Sequence, residues 1–301
     1  MSIEARKSNA GAGAKPAMKS CLQGLFDYAG LFPPAKLGMR QAVRDYYQQS
    51  LSPESWMQNR FVVAASRLGE LLEALQNLEL LDFSFELSLV VVDWDEDRPH
   101  IDRFQELKVC GAAIAAIETR DLNILDCKEL PFEVYLEIPW DTDSAIYLAR
   151  LDGVRQFAKL RSGGLTVDAF PKAEHVAAFL KSCHEAKVAC KATAGLHHPI
   201  AALRPTCGET DAPVVEMHGF INVLLAAAAT RQELPRPVVQ KLLQAKAEQL
   251  TIYEADIRFE DLEFSLQDVI ETRKHLFHSI GSCSFTEPVE DLEALGWLTR
   301  Q

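Results

Sequence analysis

Eight short β-rich runs alternate with amphipathic stretches along this chain, and their number constrains the fold more than any other feature. The runs are "LFDYAGLF" (25–32), "RFVVAAS" (60–66), "ELSLVVVD" (86–93), "GAAIAAIE" (111–118), "FEVYLEIP" (132–139), "RQFAKLR" (155–161), "VACKATA" (188–194) and "LFHSIGSCS" (276–284). Between them, "MRQAVRDYYQQSL", "LGELLEALQNL" and "AEHVAAFLKSCHEA" repeat apolar residues at helical spacing, so each can cover a pair of strands. Six or seven units would leave an open doubly wound sheet. Eight predict an α/β fold of the (β/α)8 TIM-barrel type, and 301 residues are enough for that one core.

The segment 196–276 is too long for a single crossover. Helical patterns in "MHGFINVLLAAAATR", after "LPRP" and in "EDLEFSLQDVIETRKHLF" predict a helical insertion between strands 7 and 8. The opening residues 1–20 mix charges with Gly, Ala and Ser and read as a mobile N-terminal tail, leaving 21–301 as one barrel domain. "FPPA" (32–35) suits the start of the first helix, because proline is preset for a first helical turn.

Charge and cysteine usage narrow the function. Against 43 Asp+Glu stand 31 Lys+Arg, a formal charge of −12 that repels nucleic acid and anionic membranes, with no basic cluster to offset it. Seven cysteines without a C-x-x-C pair suit reduced thiols in the cytoplasm and argue against structural zinc. The longest apolar run, "VLLAAAA" at 223–229, falls far short of the roughly 20 residues that span a bilayer. Nothing in the sequence opposes a homo-oligomer.

Barrel enzymes carry their chemistry at the C-terminal strand ends, and these ends are polar here: Asp27, Asp93, Glu118, Glu137, Lys159 with Arg161, Lys191, and Ser282 with Ser284. Tyr28 and Asp27 must face opposite sides of the first strand, and Asp27 is the one expected to face inward. Lys159 and Arg161 share a face, and Lys191 on the next strand comes close to Lys159. A buried amine beside two cations sheds its proton more readily, and a neutral lysine attacks carbonyls. Lys159 is therefore the expected nucleophile and Lys191 the cation that tunes it. Glu137 or Asp27 would move protons, and Arg161 would hold an anion. Glu118, His197 and His198 are further candidates for substrate contact, while Gly163 and Gly164 in "SGG" and Gly281, Ser282 and Ser284 in "GSCS" could bind an anion through backbone N–H groups. The acidic run at Asp93 reads as a solvated loop, His218 opens a helix, and Cys283 reads as structural because no neighbouring base is evident.

The stretches "KLRSGG" (159–164), "KATAG" (191–195) and "GSCS" (281–284) resemble, in order and strand position, those of the deoxyribose-phosphate aldolase-like class I aldolases. That resemblance covers strands 6 to 8. It implies a barrel lyase in which Lys159 forms a Schiff base, Lys191 lowers its pKa, and Gly281, Ser282 and Ser284 receive a phosphate or carboxylate. Arg161, the long 196–276 segment and "LHHP" depart from the aldolase pattern. The whole chain, through "FDYAGLFPPA" and "KATAGLHHP", is also similar to an uncharacterised bacterial barrel family.

The leading expectation is thus an aldolase-like lyase or isomerase acting on a small anionic carbonyl compound, without a metal or organic cofactor. A divalent-metal lyase, isomerase or hydrolase using Glu118, Glu137, His197 or His198 is the first alternative. A non-catalytic barrel that binds a small anion, or a protein through 196–276, is the second.

Overall fold

The computed structural model describes residues 13–107, 111–127, 130–206 and 211–299. Eight parallel strands form a closed barrel: β1 (Phe26–Tyr28), β2 (Gln58–Ala64), β3 (Phe85–Val91), β4 (Ala112–Thr119), β5 (Glu133–Ile138), β6 (Gln156–Arg161), β7 (Cys190–Thr193) and β8 (Phe277–Ser282). Each pairs with its sequence neighbours, and β8 closes on β1 through Asp27 and Gly281. The fold is the expected (β/α)8 TIM-type barrel. The first strand is shorter than the sequence suggests, because the chain turns at Ala29 to begin the cavity wall described below.

The helices are α1 (Pro16–Leu22), α2 (Met39–Ser50), α3 (Leu68–Asn77), α4 (Trp94–Leu107), α5 (Ala145–Leu148), α6 (Ala173–Ala186), α7 (Phe220–Arg231), α8 (Arg236–Gln244), α9 (Leu266–His275) and α10 (Thr286–Ala294). Spacing explains their orientation. Helix α3 buries Leu68, Leu71, Ala74 and Leu75, one stripe at intervals of three and four. Each leucine so buried contributes about 1.5–3 kcal/mol. The crossover from β4 to β5 is thinner: its described part forms a 3-10 turn over Leu122–Asp126, and α5 between β5 and β6 is a single turn.

Three expectations need correction. Residues 1–12 of the expected tail lie outside the described residues, but Pro16–Leu22 is a helix with Ala17, Met18, Cys21 and Leu22 wholly buried, because its small and apolar side chains fill a gap in the main core. The segment 196–276 is not purely helical. It contains an antiparallel hairpin (Ala202–Pro205 with Val214–Met217) and a three-stranded sheet (Leu250–Ile252, Asp256–Phe259, Leu262–Ser265). The expected third helix begins only at Leu266, where Ser265 and Asp268 form a reciprocal cap. Finally, "FPPA" starts no helix: α2 begins at Met39, capped by Gly38.

Helix α7 is apolar on every side, and all residues from Phe220 to Thr230 are buried. Helices α8 and α9 pack on it, and α1 packs on α9, so the face that a barrel helix ordinarily shows to water is covered. Among the described residues no helix is long and apolar enough to cross a membrane.

Candidate active site

Strand register fixes the first part of the site. Glu137 lies opposite Lys159 across β5 and β6, and Lys159 opposite Lys191 across β6 and β7. Because side chains alternate across a strand, this one row sends a carboxylate and two amines into the barrel. Asp27 from β1, Ser88 from β3, Glu118 from β4 and Ser279 from β8 complete the layer.

The contacts are mutual. Lys159 Nζ lies 3.0 Å from Glu118 Oε2 and 2.9 Å from Glu137 Oε2. Lys191 Nζ donates to Glu118 Oε1 at 2.7 Å and to Asp27 Oδ2. Glu118 therefore lies between the two amines, one oxygen to each, and takes a further hydrogen bond from Ser88 Oγ at 2.7 Å. Asp27 also accepts from Asn59 Nδ2, the Arg60 backbone N–H and Ser279 Oγ. Beneath this layer Lys191 Nζ stands 5.3 Å above the Tyr135 ring, which continues the cation's stabilisation toward the barrel floor. Tyr135 in turn meets His278 Nδ1 at 2.9 Å and Glu133 at 3.1 Å.

These pairings change the electrostatics expected from like charge alone. Burial would push the proton off Lys191, but the carboxylates of Asp27 and Glu118 outweigh it and hold the ammonium group above the usual lysine range. Burial likewise opposes ionisation of Glu118, yet Lys191 and Lys159 hold its carboxyl well below the usual range. Glu137 is also held low against burial, by Lys159 and then by Arg120, whose Nε donates to it at 2.7 Å. The expectation of two cations facing Lys159 without compensation is thus corrected. Three carboxylates interleave with the amines, because a closed barrel brings β1 and β4 inward to meet β6 and β7.

A cavity of about 460 Å³ opens above the layer at the C-terminal strand ends. Lys159, 5% exposed, lies on its floor with Glu118 and Glu137, whereas Lys191 is completely buried and does not reach it. The expectation of Lys191 at the mouth is corrected: it belongs to the barrel interior. Arg161, Gly164, His197 and Gly281 line the cavity; Asp27, Gly163, His198, Ser282 and Ser284 do not. Each of those five has another role. Asp27 holds Lys191 from below. A methyl on Gly163 would stand 2.6 Å from Gly195 Cα, so its bare backbone lets the β6 and β7 loops touch. His198 Nδ1 is 2.5 Å from Asp291. Ser282 Oγ donates to the Ser284 carbonyl at 2.6 Å, and Ser284 Oγ accepts from the Glu287 N–H at 3.2 Å in the first turn of α10.

Asp93 caps α4 by accepting from the N–H groups of Asp95 and Glu96, which accounts for its acidic run. Tyr28 packs on Tyr46 and Phe61 outside the barrel, opposite Asp27 as the strand period requires. His218 is buried between the Pro171 and Leu243 carbonyls.

Sequence reasoning missed other lining residues. Phe32, Pro33 and Pro34 form an apolar wall, Arg120 pairs with Glu137 at the rim, and Thr206 and Met217 come from the 202–217 hairpin. Cys283 is not merely structural: it lines the cavity with its Sγ 3.7 Å from His197 Nδ1. Burial pushes that thiol up to about 11, and burial pushes His197 down, against the pull of Glu287. Only "FPPA" signalled its part, as two prolines directly after a strand end.

The β7 loop is held tightly. Ala194 and Gly195 both adopt the left-handed conformation (φ 61° and 73°), and Ser162 Oγ donates to the Ala194 carbonyl at 2.6 Å. A non-glycine residue in that region costs free energy, and such strain gathers at functional sites. Among the described residues, no group of three or more His, Cys, Asp or Glu side chains is arranged to hold a metal ion. Comparisons with protein-family models, with curated proteins and with solved structures give no match for the chain.

Proposed function

We propose that the protein is a class I aldolase-like lyase or isomerase that forms an imine between Lys159 and a small anionic carbonyl compound. One observation carries the reading: a lysine amine on the cavity floor, bonded to two carboxylates, with a second lysine buried directly behind it. On the cavity floor the amine stands where a ligand's carbonyl carbon could reach it, which a purely structural ion pair does not require.

The steps follow from these groups. Lys159 gives a proton to Glu137, and its nitrogen attacks the carbonyl carbon to form a carbinolamine. Glu137 returns the proton to the departing hydroxyl, water leaves, and an iminium ion remains. In a cleavage, a base removes the proton of the β-hydroxyl, the bond between the α and β carbons breaks, and its electron pair moves toward the iminium nitrogen. In an isomerisation, the carboxylate removes an α proton instead. Either way an enamine forms, is protonated at carbon and is hydrolysed from Lys159 by water. Glu118, Lys191 and Asp27 keep the floor electrically balanced while charge moves above them. The chemistry needs no organic cofactor. Reduced thiols at Cys21, Cys127, Cys183, Cys190 and Cys283 together with the acidic composition favour a cytoplasmic setting.

Borohydride reduction in the presence of a panel of small aldehydes and oxo acids, followed by peptide mass mapping, tests the proposal. The expected adduct lies on Lys159 and is lost in Lys159→Met. An adduct on Lys191, or none from the whole panel, refutes it.

A further inference from the structure

We infer that the ligand of this cavity is a monoanionic carboxylate with its carbonyl on a short apolar body, an oxo acid rather than a phosphate ester. The inference rests on the proposed imine chemistry for the carbonyl and on the cavity alone for the anion.

Charge balance is the first argument. Asp27, Glu118 and Glu137 are matched in number and position by Lys159, Lys191 and Arg120, all joined by the ion pairs given above. Arg161 stands outside that balanced cluster. Its Nε donates to the Gly163 carbonyl at 3.1 Å, and among the described residues no carboxylate pairs with it. One uncompensated guanidinium therefore faces the cavity, and a single carboxylate offers the fork geometry that guanidinium binds best. A protonated imine on Lys159 would carry the same charge as its ammonium, so the match persists through the reaction. A phosphate monoester, close to a dianion at neutral pH, would leave a surplus negative charge between apolar walls.

The second argument concerns what a phosphate would need. Ser282 and Ser284, natural candidates for a phosphate cradle, do not line the cavity: Ser282 Oγ donates to the Ser284 carbonyl, and Ser284 Oγ accepts from the Glu287 N–H. Thr206 Oγ1, on a residue 6% exposed that lines the cavity, has no partner among the described residues. A buried hydroxyl without a partner is costly, so Thr206 is poised for a ligand oxygen. Much of the wall is apolar, with Phe32, Pro33, Val62, Leu165, Phe170 and Met217 on it. Such a surface accepts a hydrocarbon body and rejects a polyhydroxylated one.

Calorimetric titration of the full chain with three probes that lack a carbonyl separates this inference from the imine. The probes are 2-hydroxybutanoate, its amide and glycerol 3-phosphate. The carboxylate should bind at least about tenfold tighter than either of the others. Arg161→Gln, at an exposed side chain, should abolish that preference. Thr206→Val should weaken carboxylate binding several-fold without lowering stability, which a purely structural hydroxyl would not do. Tighter binding of glycerol phosphate or the amide, unchanged carboxylate affinity in Arg161→Gln, or no binding of any probe overturns the inference. Imine formation plays no part in these titrations. A missing borohydride adduct with the carboxylate preference intact therefore sinks the imine alone, and equal adducts from dihydroxyacetone phosphate and 2-oxobutanoate sink the carboxylate assignment alone.

Discussion

Replacing Lys191 with methionine keeps most of the side-chain volume and removes one completely buried cation. Two carboxylates lose a partner, and removing one member of a buried pair costs about 3–5 kcal/mol. The lower end applies here. Asp27 keeps the hydrogen bonds from Asn59, Arg60 and Ser279, and Glu118 keeps Lys159 and Ser88. A loss of about 3 kcal/mol is a large share of the roughly 5–15 kcal/mol that holds a domain folded, and lowers the melting temperature by about 5 °C in a chain of this size. The pH dependence is equally specific. Because the folded state raises Lys191 above its ordinary value of 10.5, its stabilising contribution is complete below that pH and fades as the pH rises through the higher folded value. Because Glu118 is depressed below 4.5, its contribution is present above that pH and fades as the pH falls through the lower folded value. Between these limits the deficit of the variant should be flat. It should narrow toward pH 4, where Glu118, deprived of its strongest cation, takes up a proton more readily. Urea unfolding followed by circular dichroism at pH 4, 7.5 and 9 measures this. Adding Asp27→Asn should restore about 1–2 kcal/mol by removing the stranded charge. A deficit under about 1 kcal/mol at pH 7.5, or no recovery in the double variant, would refute the electrostatic account.

Three further outcomes follow from the same geometry. Glu137→Gln should slow adduct trapping by roughly 10²-fold while the chain stays folded, because a proton acceptor is lost at the amine; the depressed carboxyl of the parent should keep trapping free of a Glu137-dependent loss down to pH 4.5, and an earlier acid limb assigned to this residue would contradict it. Gly163→Ala should destabilise by about 1–3 kcal/mol and impair trapping, since its methyl would force the β6 loop away from Gly195; unaltered melting and trapping would show that the contact is dispensable. Alkylation of Cys283 by iodoacetamide should be slow at pH 7, accelerate as the pH approaches about 11, and be blocked by a bound carboxylate, each readable by peptide mass spectrometry.

The periodicity of the chain announced the barrel because strand and helix patterns are local: "ELSLVVV" and "LGELLEALQNL" carry their geometry within ten residues or so. The adjacency of Lys159 and Lys191 was legible for the same reason, as both end consecutive strands. That strand-end carboxylates could pair with Lys159 was legible too, but not which one meets which amine. That Glu118 inserts between the two amines, and that Asp27 from the first strand reaches Lys191, depends on closure of the sheet, which brings residues 73 and 164 positions apart into hydrogen-bond contact. Like charge was read where opposite charge decides. The small sheet at 250–265 left a local trace, the alternating burial of "LTI" and "DIRF", but the helical pattern after Leu266 is stronger and absorbed "EDLEFS". Thr206 and the Cys283–His197 pair had no signal, because a loop's approach to a cavity is set by tertiary packing rather than by residue spacing.

The double coat over α7 makes the barrel wall uneven, and the unevenness has a kinetic side. Amides of α7 can exchange with solvent only after α8 and α9 lift away, so they should rank among the slowest in the molecule, near the global unfolding limit. Around β4 and β5, where a 3-10 turn and a single helical turn stand in for full crossover helices, local opening is cheaper. Glu118 and Glu137 are borne by β4 and β5, the strands joined by the 3-10 turn. Exchange should therefore appear first among the amides of β4 and β5, which carry Glu118 and Glu137, and last in α7, so that the acid side of the layer rests on the part of the wall that opens most readily.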